Sequence, residues 1–160
     1  MTIEDGNLDE ERRSIRALRA QLRSTKTRER LAAIDYMQGR GLKGYFTLAR
    51  SALHDRDSNV RWQAAILMGE FIPLYPAAIW RVVLHYGKSR SQDVRDMIAC
   101  VLLEHVVQQH PDVYYPLWEK LKVDPHKQLR ETANIAWDFT KPRWKENNSL
   151  PASEHKQAAL

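Results

Sequence analysis

The chain lacks the residues and segments that mark secreted or membrane proteins. It has one cysteine among 160 residues, and no apolar run approaches the ~18 residues that a membrane-spanning helix needs. The lone Cys100 cannot form an intramolecular disulfide, so we expect a reducing, cytoplasmic location. The first residues show no basic start followed by an apolar stretch, so we expect no signal peptide and no contact with a membrane.

The sequence also lacks the motifs of common active sites. It contains no phosphate-binding glycine loop, no Cys/His metal-binding cluster and no Gly-x-Ser-x-Gly turn, so we expect no enzyme, no cofactor and no metal. His105 and His110 are five residues apart and do not share a helix face, and we expect His105 to be a half-buried structural imidazole. Glu70 and Glu104 lie one repeat apart and are expected to be solvated or to contact turns.

What the sequence does contain is a repeated helical pattern. One apolar stripe recurs 34 residues later and then after another 35, in the sets Val60, Ala64, Leu67, Met68, Phe71; Val94, Ile98, Val101, Leu102, His105; and Leu129, Ala133, Ala136, Trp137, Thr140. Spacings of three and four residues place each set on one face of an α-helix. An arginine follows the first position each time, as Arg61, Arg95 and Arg130.

The helix before each stripe repeats as well. Phe46, Trp80 and Tyr115 form one column, and Leu48, Val82 and Leu117 form a second. The pattern predicts an all-α fold of about four stacked helical hairpins. Its predicted helices include 45–54 with 58–71, 77–88 with 92–108, and 126–140. Asp57 and Ser58 are placed to cap helix 58–71, and Ser91 is placed to cap helix 92–108. Pro76 is suited to the first position of the helix that follows it.

The residues Val60-Arg-x-x-Ala-Ala-x-Leu-Met-Gly69 resemble the second helix of a HEAT repeat, in the short form found in bacterial HEAT-like proteins. Val94-Arg-x-x-Ile-Ala is similar, and Leu129-Arg-x-x-Ala-Asn departs further. The resemblance covers roughly residues 8–140. It implies a curved α-solenoid, a superhelix whose second helices line a concave face, and a role in protein or nucleic-acid binding without catalysis.

The ends of the chain lead to separate expectations. Residues 1–140 are expected to form one domain, and residues 141–160 a polar, mobile tail, since Lys141-Pro142 is a helix-stopping pair. Asn7 is expected to cap the first helix, and Ser24 or Thr25 the second. Asp124-Pro125 is interpreted as a cap followed by a proline at the first helical position.

The repeated arginines have two interpretations. Each guanidinium could bond carbonyls or an acid of a neighbouring turn and so form a structural ladder. Alternatively, the three arginines could form a row of phosphate contacts. The nearby acids do not keep one register relative to the arginines, so the sequence assigns no ion pairs.

A protein-binding surface is predicted on the second helices. Trp62 lies off the apolar stripe, and its equivalents are Asp96 and Glu131, so an exposed indole with an acidic edge is expected there. The neighbouring column Gln63, Met97 and Thr132 is expected to face outward too. The alternative for Trp62 is that it packs flat against the adjacent repeat. The predicted partner-binding residues are Trp62, Gln63, Asp96, Met97 and Glu131.

Basic residues concentrate near the N-terminus and suggest a second function. A nucleic-acid interface would use Arg12, Arg16, Arg19, Arg23 and Arg30. A third alternative is an enzyme similar to the HEAT-like alkylpurine DNA glycosylases, with Trp62, Asp96 and Trp137 supplying the residue types. The favoured prediction is a non-catalytic adaptor, inhibitor or immunity-type protein that holds another protein on its concave face.

Overall fold

A computed structural model describes residues 3–41 and 43–149, with side chains for 12–41 and 43–138. Within these ranges the regular structure is entirely helical, with no strand, so the all-α prediction is confirmed. The elements are α1 (Ile3–Gln21), α2 (Thr27–Met37), α3 (Lys43–Ala52), α4 (Ser58–Gly69), α5 (Pro76–Tyr86), α6 (Gln92–Met97), a π-helical segment (Ile98–Leu103), α7 (Glu104–Gln109), α8 (Pro111–Leu121) and α9 (Lys127–Ser149). No described helix is both long and apolar enough to cross a membrane.

Local sequence explains some of the helix boundaries. The Asp57 carboxylate accepts a bond from the Asn59 backbone N–H at the start of α4, and Pro76 begins α5, as the sequence predicts. Ser91 occupies the expected cap position of α6, although its side chain makes no capping bond. The predictions for the first two caps are wrong, because α1 begins at Ile3 ahead of Asn7 and the cap residue of α2 is Lys26.

The predicted end of the last helix is also wrong. Helix α9 continues through Lys141-Pro142 to Ser149. A proline inside a helix removes one N–H donor and adds a steric clash, and both tend to kink or break a helix, yet α9 does not end there. The expected tail of 141–160 therefore starts in helix, and residues 150–160 lie outside the described part of the chain.

Helices that are adjacent in the sequence pack against one another around one core. Helix α4 packs against its partner α3 and against the preceding second helix, α2. On its other side α4 contacts the π-helical segment, which in turn contacts α9. Helices α2 and α4, the helical run 92–109 and α9, which we call the second helices, thus form a continuous row of contacts. The largest fully buried side chains include Tyr45, Leu67, Phe71, Met97 and Trp118.

The π-helical segment explains the difference between the 34- and 35-residue spacings. Val60 and Val94 are 34 residues apart, whereas Pro76 and Pro111 are 35 apart. A π turn holds one more residue than an α turn, so the extra residue is taken up inside the helical run 92–109. Each side chain after this turn therefore points in a different direction from the α4 residue 34 positions earlier.

This rotation corrects two predictions. His105 was expected to be half-buried in the column of Phe71, but it is exposed, and Val106 takes the buried position. Glu104 was expected to be solvated or to contact a turn, but it is only 7% exposed. Glu70, which lies ahead of the shift, is exposed and accepts a bond from the Gly39 backbone N–H at 2.8 Å, as a turn-contacting residue should.

The column Gln63, Met97 and Thr132 does not face outward, and that prediction is wrong. Met97 is 1% exposed, Thr132 is fully buried and Gln63 is half-buried. The Thr132 hydroxyl donates to the Gly87 carbonyl of the preceding hairpin at 2.8 Å. A second helix packs against its own partner and against both neighbouring second helices, so its buried surface is wider than one stripe.

Candidate functional site

Four arginines, which we call the ladder arginines, occupy one repeated turn geometry. They are Arg30, Arg61, Arg95 and Arg130, and in each the Nη1 atom donates to the carbonyls six and five residues earlier. The distances lie between 2.6 Å for Arg130 to Asp124 and 3.3 Å for Arg61 to Arg56. The prediction that these arginines bond carbonyls of a turn is therefore confirmed for Arg61, Arg95 and Arg130. Arg30, the first member, was not predicted to belong to the set.

A second repeated feature completes each turn. The residue six positions before each ladder arginine is Ser24, Asp55, Ser89 or Asp124. Its side-chain oxygen accepts the backbone N–H two residues later, at 2.8 to 3.2 Å. Serine and aspartate favour this local bond, which mimics a backbone turn. The Ser/Asp-x₅-Arg spacing was the signal in the sequence that could have identified Arg30.

Three of the four ladder arginines also link one hairpin to the next. Arg30 makes a two-pronged ion pair with Asp55, at 2.8 Å from Nε and 3.0 Å from Nη2. Arg61 pairs with Asp93, and Arg95 pairs with Glu131 at 3.1 Å. The sequence separations differ, which explains why no single register of acids was visible. Arg30 is 2% exposed, so its prediction as a nucleic-acid contact is wrong.

The surface around Trp62 consists of two rows on the second helices. The residues one position after the ladder arginines are Leu31, Trp62, Asp96 and Glu131, all half-buried. The residues five positions after them are Asp35, Ile66, Cys100 and Ile135, of which Asp35 and Ile66 are exposed. We call these eight residues the second-helix face. It has an apolar centre and acidic positions, and none of the eight is basic.

The predicted binding residues are only partly available on this face. Trp62 packs against the core with one side, which falls between the two interpretations of its indole. Asp96 accepts a bond from the Gln92 side chain, and Glu131 is held by Arg95 and Lys127. Ile66, which was not among the predicted residues, is 43% exposed one helical turn from Trp62. Met97 contributes nothing to the surface.

Cys100, the only cysteine of the sequence, has a weakly reactive thiol. Burial raises the pKa of the Cys100 thiol, and the nearby carboxylates Glu104 and Asp96 raise it further. The thiolate is the nucleophilic form, so this thiol is poorly reactive at neutral pH. Among the side chains of 12–41 and 43–138, no three His, Cys, Asp or Glu residues come together as a metal site would require.

The N-terminal arginines fall into different surroundings. Arg12, Arg16, Arg19 and Arg23 are exposed, and Arg19 and Arg23 line a hollow between α1 and α3. Trp137, the third residue considered for glycosylase chemistry, packs against Trp118 with 5.4 Å between ring centroids and lies under the Lys122 ammonium. It therefore belongs to an aromatic cluster between α8 and α9.

Comparisons of the chain with protein-family models, with curated proteins and with solved structures find no match.

Proposed function

We propose that the chain is a cytoplasmic, non-catalytic binding module built as a HEAT-like α-solenoid, and that it holds another protein on the second-helix face. In this proposal four hairpins stack into a curved superhelix, and α2, α4, the α6–α7 run and α9 line its concave side. The partner contributes a segment that carries an apolar side chain next to lysine or arginine.

The repeated turn geometry supports the solenoid part of the proposal. The same arginine-to-carbonyl bonds and the same Ser or Asp turn recur at all four hairpins. In addition, each second helix contacts the next one along the chain. Repeat proteins have this property, because each unit buries its apolar surface only against its neighbours.

One observation carries the choice of face, namely the exposed Ile66 beside the half-buried Trp62. Both lie on α4, near the middle of the proposed concave side, where protein could surround an apolar side chain of the partner. Tryptophan is enriched among the few interface residues that dominate binding energy. Asp35 and Asp96, on the two neighbouring second helices, add negative charge beside this centre, which selects a partner with basic residues.

A peptide selection tests this proposal even though the natural partner is unidentified. Random peptides of about twelve residues are displayed on phage and selected against the immobilised protein. We expect enriched peptides to combine an aromatic or aliphatic residue with lysine or arginine. Their affinity should fall by about 2 kcal/mol or more in Trp62→Ala/Ile66→Ser, because an interface anchor is lost.

A matched control comes from exposed valines elsewhere. Val113 and Val123 lie on α8 and on the turn after it, and they are 59% and 79% exposed. Val113→Ser/Val123→Ser removes apolar surface of similar kind and should leave peptide binding unchanged. Enriched peptides that lack basic residues, or that bind the Trp62/Ile66 variant as well as they bind the wild type, would contradict the proposed face.

A further inference from the structure

A groove lined mainly by α1, α3, α5 and the turns that follow them carries several positive charges that are not paired within the described part of the protein. Three hollows adjoin at His54, and together they run from α1 across α3 to α5. The hollow between α1 and α3 has a volume of about 530 Å³. We call this the first-helix groove. Besides the ladder arginines Arg30 and Arg61, its basic residues are Arg19, Arg23, Arg50, His54, Arg56, Arg81, His85 and Lys88.

Two arginines at the middle of the groove, Arg50 and Arg81, make no side-chain bond within the described part of the protein. Arg50 and Arg81 are exposed, and neither guanidinium has a hydrogen-bond or ion-pair partner among the described side chains. Every ladder arginine, in contrast, donates to two turn carbonyls. A guanidinium presents several N–H donors that match a phosphate group, so Arg50 and Arg81 can bind an external anion.

Little negative charge opposes these cations. Asp55 is the one acid among the described residues that line the groove, and Arg30 neutralises it through the two-pronged ion pair. Arg61, which also lines the groove, is occupied by its turn carbonyls and Asp93. The field in the groove is therefore set by Arg50 and Arg81 at its centre and by Arg19, Arg23 and Arg56 at one end.

The buried Tyr86 positions His54 at the centre of the groove. The Tyr86 hydroxyl and His54 Nε2 lie 2.6 Å apart in a hydrogen bond whose donor depends on the imidazole tautomer. Burial raises the pKa of the Tyr86 phenol, and the positive charge of Arg50 offsets part of this increase. The phenol thus stays neutral at physiological pH and adds no negative charge, while it positions the exposed His54 ring.

We propose that the first-helix groove binds the phosphate backbone of single-stranded nucleic acid. Packed helices are about 10 Å apart, so a groove across three first helices is about 20 Å long, enough for several nucleotides. A positively charged groove that tracks the backbone is typical of proteins that bind single strands. The exposed rings of His54 and His85 offer faces on which bases can stack. Stacking on these rings needs unpaired bases, so a duplex should bind more weakly.

Fluorescence anisotropy with a labelled twenty-nucleotide oligo(dT) tests this site on the full chain. Arg50→Ser/Arg81→Ser should weaken binding about tenfold or more at low salt, because two charge-assisted phosphate contacts are lost. The slope of log affinity against log salt should become shallower by about 1.4, since each single-strand phosphate contact contributes about 0.7. A hairpin duplex of the same length should bind more weakly than oligo(dT).

The matched control is Arg13→Ser/Arg28→Ser, which removes the same charge from exposed arginines outside the groove. It should retain near wild-type affinity and salt slope, and thermal melts should show that both variants are folded. Equal losses in the two double variants would show a diffuse charge effect and overturn the proposal. Absence of oligo(dT) binding at low salt, or tighter binding of the duplex, would overturn it as well.

Discussion

The ladder arginines differ in their surroundings from Arg50 and Arg81, the two arginines at the centre of the first-helix groove. Arg30 and Arg95 are buried and Arg61 is half-buried, and all three are held by turn carbonyls and by an acid of the next hairpin. Arg50 and Arg81 lie on the first helices, and their guanidinium groups have no partner among the described side chains. The first set uses its hydrogen-bonding capacity within the fold, and the second leaves that capacity exposed to solvent.

The difference shows that basic residues need to be sorted by partner before charge is interpreted as function. The N-terminal basic segment includes both kinds, since Arg30 is buried in an ion pair whereas Arg19 and Arg23 face a hollow. The two faces of the molecule differ in the same way. The second-helix face is apolar and acidic, whereas the first-helix groove is basic, so the two surfaces suit chemically different partners.

The largest expected effect separates the two arginine sets by stability. Arg30→Ala removes both prongs of a buried ion pair and leaves the Asp55 carboxylate with a side chain 10% exposed and unpaired. We expect a loss of about 3–5 kcal/mol in the free energy of unfolding, as for other buried pairs that lose one partner. Urea denaturation followed by circular dichroism measures it.

The matched control for this change is Arg50→Ala, at an exposed arginine whose guanidinium has no described partner. It should alter the free energy of unfolding by no more than about 0.5 kcal/mol. A loss of similar size in both variants would mean that Arg50 is structural too, and the comparison would fail.

A smaller effect is expected where the last hairpin packs against the one before it. A Cβ atom on Gly87 would lie 2.7 Å from the Val83 carbonyl oxygen and 2.9 Å from a methyl carbon of Leu129. Gly87→Ala should therefore destabilise the fold by about 1–3 kcal/mol through overpacking. Differential scanning calorimetry would detect the lower melting temperature.

Gly69→Ala provides the opposite sign at another glycine. Its Cβ would meet nothing closer than 4.0 Å, and alanine favours helix over glycine by up to about 1 kcal/mol. This variant should be neutral or more stable. If Gly87→Ala were equally stable, the packing of α9 against the end of α5 would be looser than the distances at Gly87 indicate.

The regular part of the fold could be predicted from the sequence, because periodic apolar residues report directly on helix faces. Val60, Ala64, Leu67, Met68 and Phe71 are all buried, as their spacing indicates. The repeated arginine also indicated a turn contact. These features are local, and each is present in the residues themselves.

Features that depend on neighbouring helices could not be predicted. The burial of Met97 and Thr132 follows from packing between hairpins. The exposure of His105 follows from a π turn that absorbs one extra residue. The first-helix groove joins residues from several helices and turns, so no single stretch of sequence displays it. Arg50 and Arg81 differ from other surface arginines only through the hollow that the folded helices form around them.

The most direct test of the division between ladder and groove is an NMR titration that observes the arginine Nε–Hε signals. Unlabelled oligo(dT) is added to the ¹⁵N-labelled protein, and each assigned side chain is followed. We expect Arg50 and Arg81 to shift, together with Arg19 and Arg23, while Arg30, Arg61, Arg95 and Arg130 do not. Shifts of equal size in both sets, or shifts confined to the ladder arginines, would contradict the division.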